Sequence, residues 1–281
     1  MTETKRLSVR RRRLSEELRR LRLDAGLTME AAAEAVEFSV GKVSNIETGV
    51  RVRPYVVEVK GLLDAYGVTD ERKRESLLAL TRQATKKGWW SKYTEVFTDD
   101  YPALEADAAT ISTYQPMLIP GLLQSPGYVE LVVRSANLMR DPVDIRHVVD
   151  ARKRRQDILN FDGGPKLWAV IDAGAIERLK ASPEVLHEQV THLIEMADAD
   201  NHVTVQVVPF GAGLHAGMKG QFVIMDFAAA DSVVYLEMDQ DGLFLEESEE
   251  VNRYRILFNH LVNAALDADS TIQCLRDAVR S

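Results

Sequence analysis

The sequence predicts an all-α N-terminal domain followed by an α+β C-terminal domain. Three observations carry this. Residues 28–49, TMEAAAEAVEFSVGKVSNIETG, read as two short helices joined by a tight turn. The net charge of −8 is unevenly spread. Residues 1–87 hold 19 Lys and Arg against 13 Asp and Glu, whereas residues 88–281 hold 16 against 30. Beyond a break at Gly88, strand-like runs interleave with helices without regular alternation, which favours α+β. The expected domains are therefore residues 1–87 and 88–281.

Length and composition bound the class. A chain of 281 residues accommodates two domains, and 46% hydrophobic with 28% charged residues fits a folded protein. No apolar run approaches the ~20 residues that span a bilayer, so no membrane partner is expected. The arginine-rich start has no apolar stretch behind it, unlike a secretory signal. The lone Cys274 excludes an internal disulfide framework and fits the cytoplasm.

In chain order, residues 1–13 form a basic arm ending in Arg10, Arg11, Arg12 and Arg13. A first helix carries Leu14, Leu18, Leu21 and Ala25 on one face, and Gly26 closes it. Thr28 caps the second helix, whose Met29, Ala32, Ala33 and Val36 follow helical spacing. The turn runs through Glu37 and Phe38. Ser39 caps the third helix, where Val43 and Ile46 face inward and Gly49 ends the run. Val40, Gly41, Lys42, Ser44 and Asn45 are left on the outer side. That is the geometry of a helix-turn-helix, whose second helix enters the DNA major groove. Arg51 and Arg53 follow in a loop before Pro54. A fourth helix carries Val59, Leu62, Leu63 and Tyr66, and a fifth starts near Asp70.

These positions divide by chemistry. Arg10, Arg11, Arg12, Arg13, Thr28, Met29 (through its backbone N–H), Lys42, Arg51 and Arg53 are expected to contact phosphate. Val40, Gly41, Ser44 and Asn45 are expected to face base edges, with Asn45 suited to adenine and Val40 to a thymine methyl. The partner is double-stranded DNA, and the acidic body repels the same phosphates. One short recognition helix reads few bases. A homodimer with two linked heads is therefore expected, and Leu257, Phe258, Leu261 and Val262 are too widely spread for one narrow core-facing stripe.

The C-terminal region opens with Trp89 and Trp90, adjacent aromatics suited to docking a linker. Residues 108–114 read as a strand or a helix end, and residues 115–124, with Pro116 and Pro120, as a buried irregular segment. Helices are expected over residues 126–138 and 142–160. A strand follows over 167–171, then a helix from Pro183 to near Asp200. Strands are expected over 203–208, 221–227 and 233–238, and helices over 248–262 and 270–279.

No constellation here points to catalysis, a metal or a cofactor, and the chain is not read as an enzyme. His187 and His192 lie five residues apart, about 140° round a helix, so they diverge where a zinc motif needs i, i+4 spacing. The loop GAGLHAGMKG precedes a strand rather than a helix, so it reads as a flexible connection with His215 facing solvent. Arg152, Lys153, Arg154 and Arg155 read as a solvated helix face paired with Asp150 and Asp157, with a seat for an acidic ligand or partner as the alternative.

The stretch SVGKVSNIETG resembles the S-x-x-x-[IV]-S-x-[IL]-E-x-G pattern of Xre/Cro-type helix-turn-helix proteins. The runs LEADAATISTYQPMLIPGLLQSPGYVELVVRSA, ARKRRQDIL, VTVQVVPFGAGLHAGMKGQF and EESEEVNRYRILFNHL extend the resemblance to the WhiJ-like group of actinobacterial Xre regulators. It covers nearly the whole chain from about Leu14. It implies a transcriptional regulator, often encoded beside a small partner protein, with some relatives antitoxin-like. Two positions depart from the pattern. Met29 stands where Gln is common. Glu37 stands where Gly is common, so the turn there requires a positive φ or another geometry.

Overall fold

The computed structural model describes residues 9–49, 54–85, 89–93, 96–97, 101–136, 145–160, 163–198, 202–228, 230–238 and 242–280. The chain divides into two compact units, Met1–Ser91 and Lys92–Ser281.

The first unit is a bundle of five helices: α1 (Val9–Asp24), α2 (Met29–Ala35), α3 (Val40–Glu47), α4 (Val56–Ala65) and α5 (Glu71–Thr85). Its core joins Leu14, Leu18 and Leu21 of α1 to Ala32 and Ala33 of α2 and to Val43 and Ile46 of α3. Val59, Leu62 and Leu63 of α4 and Leu77 and Leu78 of α5 complete it. The small side chains of α2 let α3 pack closely, and Ala25, expected on the inner face, lies exposed in the turn after α1.

Both predicted caps form. The Ala31 N–H donates to Thr28 Oγ1 at 3.1 Å, and the Lys42 N–H to Ser39 Oγ at 3.2 Å. The α2–α3 turn closes with the Phe38 N–H on the Ala33 carbonyl (2.9 Å) and the Glu37 N–H on the Glu34 carbonyl (3.2 Å). This paired closure places one residue in the left-handed region, and that residue is Glu37, at φ 55°.

The second unit mixes strands and helices. Strands β1 (Thr110–Gln115), β2 (Lys166–Asp172), β3 (Val203–Val208), β4 (Phe222–Phe227), β5 (Ala230–Glu237) and β6 (Gly242–Leu245) form one sheet in the order β3-β2-β1-β4-β5-β6. Strands β1, β2 and β3 pair in parallel, and β4, β5 and β6 continue antiparallel from β1. The helices are α6 (Tyr101–Asp107), α7 (Pro126–Ala136), α8 (Ile145–Gln156), α9 (Ala173–Glu177), α10 (Pro183–Asp198), α11 (Ser248–Ala264) and α12 (Ala268–Arg280).

Strand alternation sorts the two faces. Tyr114, Val170, Phe222, Ile224 and Val234 point to α11, where Val251, Phe258 and Leu261 are buried. Leu257 and Val262 pack partly buried against the same core. The wide apolar face of α11 is therefore used inside its own domain, and Ile256 is its exposed large residue. Edge strand β3 is covered rather than open. The Leu266 N–H donates to the Val207 carbonyl at 2.8 Å, and the Val207 N–H to Thr271 Oγ1 at 3.2 Å. No helix among the described residues is long and apolar enough to cross a membrane.

Candidate nucleic-acid interface

Helix α3 presents the outer face that its sequence spacing requires. Val40 and Gly41 are exposed, and Lys42, Ser44 and Asn45 are half-buried. Val43, Ile46 and Glu47 turn inward. The Asn45 amide makes no hydrogen bond among the described residues, which leaves both its donor and its acceptor for a base edge. Thr28 is exposed at the start of α2, against which α3 packs. Its hydroxyl oxygen caps the helix, so the proton of the same group remains to donate. Met29 is half-buried and joins the core.

Lys42 is already engaged. Its Nζ lies 2.6 Å from Glu58 Oε1 and 3.8 Å from the centre of the Phe38 ring. Contact with a phosphate means exchanging Glu58 for it. Arg10, Arg11, Arg12 and Arg13 lie along α1, but their side chains are outside the described residues, as are Arg51 and Arg53 altogether.

What holds α3 in place was not singled out from the sequence. Glu47 is buried at the end of α3. Arg22 Nε donates to both its carboxylate oxygens at 2.9 Å, and Tyr66 Oη donates to Oε1 at 2.7 Å. Arg22 Nη1 also donates to the Leu27 carbonyl at 2.8 Å. Burial, and then the Glu47 carboxylate, hold the Tyr66 hydroxyl well above its ordinary pKa, so it stays a donor. One carboxylate thus ties α3 to α1 and α4. The signal was present: Val43, Ile46 and Glu47 share the i, i+3, i+4 stripe, as do Leu18, Leu21 and Arg22. A charge on an inward stripe needs a partner on another one.

Two readings of the second unit are corrected. Arg152–Arg155 is a solvated face only in part. Lys153 and Arg154 are exposed, with Arg154 Nη1 2.6 Å from Asp157 Oδ2. Arg152 and Arg155 lie i, i+3 on the stripe that also carries Val148 and Ala151, so they turn into the domain. Arg155 grips buried Glu105 through Nε and Nη2, the latter at 2.7 Å.

The loop of residues 211–220 is also more structured than a flexible connection, with 3₁₀ turns at Phe210–Ala212 and Ala216–Lys219. Its His215 is only 6% exposed at the side chain. His215 Nδ1 accepts from the Gly217 N–H at 3.2 Å, and Nε2 lies 3.4 Å from Asp172 Oδ2. Asp172 in turn caps α9 through the Gly174 N–H at 2.8 Å. The histidine thus links the loop to the end of β2. Among the described residues, no cluster of three or more His, Cys, Asp or Glu could hold a metal ion.

Residues 13–77 match the helix-turn-helix domain, in keeping with the capped α2–α3 pair. Residues 98–277 match a domain of unknown function, DUF5753, which spans more than half of the chain. No curated protein and no solved structure matches the chain. The helix-turn-helix marks the chain as a DNA-binding transcriptional regulator. The chain belongs to the DUF5753 family, and carries its domain behind an N-terminal helix-turn-helix.

Proposed function

We propose that the chain is a sequence-specific transcriptional regulator of the WhiJ-like actinobacterial Xre group, acting in the cytoplasm, whose C-terminal domain senses a ligand or a small partner protein. The observation that carries it is the outer face of α3. Val40 and Gly41 are exposed there and Ser44 and Asn45 half-buried, while Glu47 holds the helix from behind. The DNA-binding module is taken as residues 1–87 and the sensing module as residues 88–281. The two compact units, dividing at Ser91, support that assignment. Phosphate contacts fall to Arg10–Arg13, the start of α2, Lys42, Arg51 and Arg53. Two chains act together on half-sites about one DNA turn apart.

The test is operator binding by full-length protein. Asn45→Ala is expected to lose roughly 1–3 kcal/mol at the specific site and little on random DNA. An unchanged ratio of specific to random binding would mean that α3 docks in another way.

A second reading has its own support. Phe210, Leu214 and Met218 are exposed within one short segment, at 68%, 92% and 56%. Clustered apolar exposure suits a protein partner, and hence an antitoxin-like role in which DNA binding is autoregulation. Co-purification with the product of a neighbouring gene, abolished by Leu214→Glu, is the outcome that favours it.

A further inference from the structure

Between the sheet and helices α6 and α8 lies a cavity of about 310 Å³, within the size range of small-ligand sites. Thr113 and Gln115 of β1 and Tyr235 and Glu237 of β5 form its floor, and Arg152 and Arg155 of α8 its wall. The floor flanks β1, where the parallel half of the sheet meets the antiparallel half. In open sheets with parallel strands, ligands gather where the strand order reverses.

The charges of the cavity are unequally satisfied. Arg155 is spoken for: its Nε and Nη2 hold Glu105, and the guanidinium lies 4.9 Å over the Tyr101 ring. Gly121 leaves room for that group, since a Cβ there would come 3.0 Å from Arg155 Nη1. Glu237 accepts from Gln221 Nε2 at 3.0 Å. Arg152 has one partner, and it is neutral: Nη1 donates to Gln124 Oε1 at 2.9 Å. Its Nε is buried with no hydrogen bond, and no carboxylate pairs with it among the described residues. Nε and Nη2 lie on the side of a guanidinium that takes a carboxylate with two parallel bonds, as Arg155 takes Glu105. A buried cation with no carboxylate in direct contact is costly unless something supplies one. Burial, and then the neighbouring Arg155, lower the Arg152 pKa to about 10, so it remains charged at neutral pH.

From this geometry we infer that the cavity binds a small organic carboxylate, its anionic group at the Arg152 guanidinium and its apolar body against Tyr101 and Tyr235. This names the ligand class for the sensing role proposed above and rests on that reading. The two tyrosine rings stand 4.3 Å apart and both line the cavity. Glu237 also lines the cavity and bears on Arg152 electrostatically, so it opposes a second anion.

The test uses full-length protein with benzoate as the probe and benzamide as its neutral counterpart, by calorimetry and thermal shift. Benzoate is expected to bind and to raise the melting temperature, with benzamide at least tenfold weaker. Arg152→Met should remove the preference for the anion, and Glu237→Gln should tighten benzoate binding several-fold. The second variant carries the test if the first fails to fold. Benzoate that does not bind at millimolar concentration, or that binds alike to wild type and Arg152→Met, or that is unaffected by Glu237→Gln, overturns the inference. Operator binding is measured in parallel. DNA binding without benzoate binding overturns the ligand class and leaves the regulator standing. Benzoate binding that leaves operator affinity unchanged keeps the site and removes the sensing role.

Discussion

Glu37 is the one residue of the helix-turn-helix whose backbone works against its side chain. At φ 55° it occupies the left-handed region, where a Cβ costs about 1 kcal/mol relative to glycine. It is exposed, so nothing is lost by removing its side chain. Glu37→Gly is therefore expected to stabilise the first unit by about 0.5–1 kcal/mol, read as a rise in its melting temperature. The opposite sign is expected at Glu47. Its carboxylate is fully buried and serves Arg22 and Tyr66 at once. Arg22→Met leaves that charge unpaired and should destabilise by roughly 3–5 kcal/mol, whereas Arg22→Met with Glu47→Leu should recover most of the loss. A double variant as unstable as the single one would mean that the pair acts through packing rather than charge. The strain at Glu37 was legible in the sequence because the turn there commonly takes glycine. The inward place of Glu47 is legible from its stripe, but its partners are not, because Arg22 and Tyr66 lie 25 and 19 positions away in the sequence.

At the scale of elements, the recognition helix and its supports carry opposing charges. Glu58 lies on α4, receives the Tyr55 N–H at 2.8 Å and holds Lys42 of α3. Glu58→Gln keeps an acceptor for that cap but releases Lys42. Affinity should rise by a similar factor on specific and random DNA, and the log–log salt slope should steepen by at most about 1. A second link joins α1 to α5: Glu17 Oε1 lies 2.7 Å from Arg20 Nη2 and 3.0 Å from Lys73 Nζ. Burial alone would raise the Glu17 pKa, but hydrogen bonds and charge from Arg20 and Lys73 outweigh it and hold it low. A depressed carboxylate stabilises above its unfolded pKa, and that contribution is lost as pH falls through the folded value. Glu17→Gln should accordingly destabilise at about pH 6, with the difference fading below about pH 4 in paired melts. Helices with long periodic stripes were readable from the sequence, and so were the buried strands β2, β3 and β4. Strand β6 was not, its four residues being too few to show a period, and neither was helix α6. The inward turn of Arg152 and Arg155 was hidden for another reason. Four consecutive cations look like surface, and the partner that draws Arg155 inward, Glu105, lies fifty positions earlier.

Across the whole molecule, the division of charge is the feature that sequence alone settled, because it depends on no contact. A basic head with a net +6, joined in sequence to a body with a net −14, favours phosphate contact through the head. What the sequence could not supply was the dimer surface. Leu257, Phe258, Leu261 and Val262 all pack into their own domain, so their number is not evidence of a second chain. The case for two linked heads rests instead on readout. Gly41 offers no side chain and Val40 only a methyl contact, so a single α3 discriminates weakly. Two heads joined through their bodies gain a second binding event at high effective concentration. With about 4–6 phosphate contacts per head, residues 1–87 alone should bind DNA with a log–log salt slope of about −4 to −5. The full-length chain should roughly double that slope on a site with two half-sites. It should also lose most of its advantage when the half-sites are moved apart by half a DNA turn, because the linked heads then face opposite sides of the duplex. Light scattering on the full-length chain, run beside this titration, separates the causes. A dimer in solution with spacing-dependent affinity supports linkage through the body. A monomer that binds one half-site as tightly as two overturns it, and specificity would then have to come from contacts outside α3.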